Sequence, residues 1–323
     1  MKRWLISLCI VFLLTGCKEG GYQSIDPKTP LLITTNIKEG SISFINTNTK
    51  KTITTWHLNE TITGTTLLPD KNRLLVYGKQ LEYVYVYSLK DGKQLEKWNT
   101  GKGIANILLS EDGKELFAAD QNEQKIRVFT TNGKETESIS VGKGPLTMVQ
   151  RHDMLYVLNF YDTKLSSIDV KQKKVVNSFM IPPASTGAFL SGDGKEIFIG
   201  GHGDGKQVNE KVLEYSVQDG QMLQSLHAPF MPINLSTDQQ YIYVLSHGSN
   251  TLRKFDGKTY KEVASLEVGS NPFAFWQIGS EGYVASYDSD EVYVLDLHEM
   301  KIKQTISVGK GPFQFTQRVG EKK

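Results

Sequence analysis

Five residues are the first candidates for chemistry by type and placement: His202 with Asp204, His247, and Asp288 with Asp290, in corresponding loops of a repeated sequence. Imidazole and carboxylate groups are ordinary ligands of divalent transition metals, and loops of three consecutive repeats can converge on one point. A converged set would suit a metal-dependent hydrolase or lyase. Gly, Asp, His and Ser are equally the residues of solvated turns, where they tolerate unusual backbone angles and bond their own chain. A divalent metal is thus a candidate cofactor, and the sequence demands none.

A second constellation is cationic. Gly-Lys-Gly recurs at 101–103, 142–144 and 309–311, which puts Lys102, Lys143 and Lys310 at equivalent points of the repeat. Gathered around a channel mouth, three ammonium groups would attract an anion. Taken singly, each is a solvated lysine between turn glycines. The stretch from Gly200 to Lys206 imitates a phosphate loop, but Gln207 stands where Ser or Thr should bind magnesium, and a strand pattern follows in place of a helix. That reading fails.

The third reactive group is Cys17. Lys2 and Arg3 precede an apolar run from Trp4 to Leu14, too short for a permanent membrane span, and Leu14-Thr15-Gly16-Cys17 follows. The segment resembles a bacterial lipoprotein signal with its lipobox. The resemblance implies removal of residues 1–16, acylation of Cys17 and anchoring at the extracytoplasmic face of the cell membrane. Cys9 would leave with the signal, so no disulfide framework is expected. Residues 17–30, rich in Gly, Pro and charge, read as a flexible tether.

Composition limits the partners. The chain has 323 residues, with 37 Lys and Arg against 35 Asp and Glu; without Lys2 and Arg3 the balance is neutral. General nucleic-acid binding, which needs clustered cations, is not expected. The partners expected are the membrane, through the lipid, and an extracytoplasmic protein or cell-envelope component, with the chain as a monomer.

The elements that must position these groups repeat about every forty residues. Gly101 to Gly142 is 41 residues and Gly269 to Gly309 is 40. Alternating segments begin at Ser41, Tyr83, Lys125, Lys164, Lys211, Thr251 and Glu291 (SISFIN, YVYVYS, KIRVFT, KLSSID, KVLEYS, TLRKFD, EVYVLD), which predicts seven blades of four strands. Asp-Gly and Asn-Gly pairs, including Asp91-Gly92, Asp112-Gly113, Asn132-Gly133 and Asp256-Gly257, put tight hairpins on one rim and leave the variable loops on the other. The first unit lacks its opening strand, whereas the chain end adds a spare one at Pro312–Thr316, so the tail should complete the first blade. Phe273-Ala274-Phe275-Trp276 and Phe313-Gln314-Phe315 read as innermost strands that pack between blades in preference to forming a ligand platform.

The DGK-type turn, Leu155-Tyr156-Val157-Leu158-Asn159, the Ile168-Asp169 and Leu295-Asp296 strand ends and the Val-Gly-x-x-Pro junctions resemble the YVTN-type (YncE-like) propellers. That resemblance covers roughly Leu31 to Gln317. It implies an all-β, seven-bladed propeller over residues 31–317, with 318–323 as a tail. It is specific for fold and not for activity. The expected function is a non-enzymatic binding or protein-interaction module using the variable-loop rim; the alternative is a lactonase-like or lyase-like enzyme on the same rim.

Overall fold

The computed structural model describes residues 21–320. Strands β1 to β28, in chain order, form seven antiparallel sheets of four arranged in a ring. The seven alternating segments are the third strands of their sheets, from β2 (Ser41–Asn46) through β14 (Lys164–Asp169) to β26 (Glu291–Asp296). Their apolar positions face the neighbouring blades; Val84, Val86, Ile126, Val128, Val292 and Val294 are all buried.

The core is divided accordingly. Seven apolar clusters each join residues of two adjacent blades, such as Phe117 and Val128 of the third blade with Leu155 and Val157 of the fourth. Flat sheets that bury both faces against neighbours need this arrangement, because no single blade can cover its own apolar surface.

The ring closes as the sequence predicts. β28 (Pro312–Arg318) pairs antiparallel with β1 (Leu31–Asn36), setting Leu31 opposite Arg318 and Thr35 opposite Gln314. The first blade thus combines both chain ends in the order β28, β1, β2, β3.

Two boundaries differ from expectation. Residues 22–30, expected within the tether, pack on the propeller: Tyr22 stacks on Trp56 with ring centroids 5.0 Å apart, its N–H donates to Gly92 O, and Ile25 is buried. Arg318, expected in the tail, ends β28 and is 1% exposed, its guanidinium donating to the carbonyls of Asp26 and Thr29. Tyr22 and Ile25 bury apolar surface on the first and second blades and the segment's carbonyls satisfy the buried Arg318, which a count of turn-forming residues does not register. Cys17 and residues 1–16 lie outside the described residues.

Glycines 92, 113 and 133 sit at positive φ in their hairpins, as their turn pairs imply. Asp256-Gly257 is an exception: there Tyr260, with φ 55°, takes the left-handed position.

Candidate binding site at the mouth of the central channel

The seven innermost strands surround a central channel of about 880 Å³. Six of them carry the same irregularity after their first residue: in β8 (Ile104–Leu109), β12 (Pro145–Arg151), β16 (Ser185–Leu190), β20 (Pro232–Thr237), β24 (Pro272–Ile278) and β28, one residue is skipped in the pairing with the next strand. Proline opens four of these strands, and a residue without an N–H cannot donate to the ladder, which favours a bulge there.

A bulge re-aims the side chain it inserts. The six skipped residues, Ala105, Leu146, Thr186, Ile233, Phe273 and Phe313, all line the channel. The repeat therefore presents one side chain from each of six blades at equivalent points of the mouth and fills them with different chemistry.

The loops of the variable rim extend this ring. His202 follows β17 (Glu196–Gly201), and His247 opens a short 3₁₀ turn after β21 (Tyr241–Ser246). Their rings meet edge to face with centroids 5.9 Å apart. Phe160 lies 6.0 Å from His202, Phe273 lies 4.4 Å from His247, and Phe313 lies 4.9 Å from Phe273. An arc of five rings thus runs through the fourth, fifth, sixth, seventh and first blades.

The two histidines are held differently. His247 Nδ1 is 3.2 Å from Pro272 O; a carbonyl only accepts, so this nitrogen carries the hydrogen. His202 Nδ1 is buried and has no partner. Burial, with the neighbouring His247 charge second, holds the His202 pKa below the ordinary imidazole value.

The carboxylates do not join them. Asp204 Oδ1 accepts the amides of Lys206 and Gln207, at 2.9 and 2.8 Å, closing its own exposed turn. Asp288 accepts from Lys38 Nζ and from Asn271 Nδ2, each at 2.9 Å, and the Lys38 bond holds its carboxyl below the usual range. Asp290 Oδ1 accepts the Gly311 amide at 2.8 Å. The expected metal set is therefore not assembled: each acid is engaged by its own turn or by the seam between the seventh and first blades. Among the described residues no group of three or more His, Cys, Asp or Glu is arranged to hold a metal.

The three lysines also part company. Lys102, Lys143 and Lys310 are exposed, and none lines the channel. Lys102 faces Glu82, 3.6 Å away, in a side cleft shared with Asp120 and Arg127. An anion-attracting ring at the mouth is not formed.

The aromatic segments differ in burial. Phe275 and Phe315 pack between blades as expected, at 3% and 5% exposure, while also bordering the channel, and the more exposed Phe273, Phe313 and Trp276 line it with them. Deeper in, Tyr77 Oη donates to Asn106 Oδ1 at 3.0 Å and accepts from Gln314 Nε2 at 3.0 Å. Trp276 Nε1 donates to Gln317 Oε1 at 3.1 Å. Among the described residues the ionisable ones in the lining are His202 and Asp238, and Asp238 accepts from Tyr243 Oη at 3.0 Å. Sequence reasoning missed this ring; its signal was the residue directly after each junction proline.

The same architecture occurs in solved structures. Hydrazine synthase of Kuenenia stuttgartiensis aligns with a TM-score of 0.72 at 18% identity, covering 87% of this chain and 99% of that one. A functionally unknown protein from Desulfotomaculum acetoxidans aligns with a TM-score of 0.75 at 11% identity, covering 90% and 99%. Apo AztD from Citrobacter koseri aligns with a TM-score of 0.65 at 12% identity, covering 91% and 99%. At these identities the likeness is one of fold, a seven-bladed propeller. No family model and no curated protein matches the chain.

Proposed function

We propose that this chain is a lipid-anchored, extracytoplasmic propeller of YVTN type that works as a monomeric, non-enzymatic binding module at its variable-loop rim. One observation carries the reading: six successive bulges and the loop residue His202, backed by His247, bring side chains of different chemistry into one channel mouth. A concave site with convergent rings and a few polar groups suits recognition. Acid–base catalysis would need partners that Asp204, Asp288 and Asp290 do not supply from their engaged positions. The partner is a component of the cell envelope, within reach because the lipid on Cys17 holds the propeller at the membrane.

Hydrogen exchange on the protein in its native envelope membranes, set against the purified protein, tests this reading. Slower exchange is expected at 160–163, 202–209, 247–250 and 287–290, with the hairpins of the opposite rim unchanged. Equal exchange on both rims would sink it. In the same preparation Cys17→Ala should leave the membrane fraction.

A further inference from the structure

The charge, shape and unpaired atoms of the mouth name a ligand class. We propose that the channel mouth binds a neutral oligosaccharide, which stacks on Phe273 and Phe313 and exchanges hydroxyl hydrogen bonds with Thr186 and His202. This rests on the binding-module reading and gives its ligand a chemistry.

Charge comes first. Among the described residues no lysine or arginine lines the channel, and the one acid, Asp238, stands exposed in the turn between β20 and β21, at the end away from the mouth. The mouth offers an ionic ligand no fixed counter-charge, and a dry site without one disfavours an ion. The depressed pKa of His202 keeps that ring neutral at pH 7.

The two sides of the mouth differ. Phe273 and Phe313 bring ring faces to the seventh and first blades, with centroids 4.9 Å apart. On the fifth blade two buried polar atoms, Thr186 Oγ1 and His202 Nδ1, have no partner. Buried polar atoms require partners, and these two line the mouth. A hydroxyl and a neutral imidazole each combine donor and acceptor capacity, as does a sugar hydroxyl. Both atoms are shut off from solvent in this conformation, so bonding a ligand hydroxyl takes a side-chain rotation that turns each toward the channel both residues line. The apolar C–H face of a sugar ring meanwhile covers aromatic surface, and a channel of about 880 Å³ has room for more than one sugar ring.

The test uses the full chain in a detergent without a sugar headgroup, titrated calorimetrically with neutral oligomers of glucose and of N-acetylglucosamine, to about 10 mM. Saturable heat is expected with one series, accompanied by a fluorescence change absent from Trp276→Phe. The double variant Phe273→Ala, Phe313→Ala should bind at least about tenfold more weakly with its melting midpoint little changed. Thr186→Val, a smaller change, should weaken binding too and serves if the double variant fails to fold. No saturable heat from either series, or undiminished binding in the variants, would overturn the proposal. An uncharged Asn, Ser and Gly peptide that binds in place of the sugars and loses affinity in the same variants would also overturn it while leaving the binding-module reading intact. Failure of that broader reading shows separately, as absent rim protection in envelope membranes.

Discussion

At the scale of residues, the mouth is governed by one half-buried imidazole. His202 is held below the ordinary imidazole pKa of 6.5 first by burial and then by His247. A base whose folded pKa is lowered takes up its proton more readily in the unfolded chain. The stability this group confers is therefore full above about pH 6.5 and drains away as pH falls below it. Urea midpoints measured from pH 7.5 to 5 should fall more steeply for the native chain than for His202→Asn; parallel curves would show that His202 is not the group responsible. The histidines were legible in the sequence as unusual loop residues, and their proximity followed from consecutive blades. The engagement of Asp204, Asp288 and Asp290 was not legible, because an acid's choice between a metal and its own turn depends on backbone amides that composition does not reveal.

At the scale of elements, strands were easier to read than their irregularities. All seven third strands begin where the alternation places them, since burial between two blades imposes period two. The bulges escaped, because each is a pairing choice between neighbouring strands, marked in sequence only by an opening proline that also suits an ordinary strand start. Phe273 and Phe275 show the consequence: strict alternation gives them one role, and the bulge leaves Phe273 part-exposed at the channel while Phe275, bordering it too, is buried in the cluster between the sixth and seventh blades. The N-terminal segment was misread for a related reason. A Gly- and Pro-bearing stretch signals lack of regular structure, and Tyr22 nevertheless docks by stacking on Trp56 and bonding to Gly92. Gly92 has φ 64°, and a methyl there would stand 2.0 Å from Tyr22 O. Gly92→Ala should cost about 1–2 kcal/mol and release residues 21–26, read as new protease sensitivity before Asp26. Tyr22→Ala should give the same sensitivity at about 1 kcal/mol. Resistance in both variants would show that the segment holds by other contacts.

For the whole molecule, stability is distributed over seven similar interfaces and depends on closure. Removing residues 312–323 deletes β28, strips the partner from β1 and takes Phe315 from the cluster between the seventh and first blades. The truncated chain should lose its single sharp thermal transition, because an exposed strand edge and an uncovered blade remain. A cooperative transition within a few degrees of the native midpoint would mean that the other interfaces suffice. Arg318 belongs to the same closure, since it bonds Asp26 and Thr29 across the two chain ends.

The docking of residues 22–30 also fixes an attitude. Gly21 lies beside Gly92, on a hairpin of the rim opposite the channel mouth. Three residues separate Gly21 from Cys17, four steps along the chain with a reach of at most about 14 Å. With lipid on Cys17, the propeller would not swing on a leash. It would sit on a short mount with its hairpins toward the bilayer and its channel looking outward, like a dish aimed away from the surface that carries it.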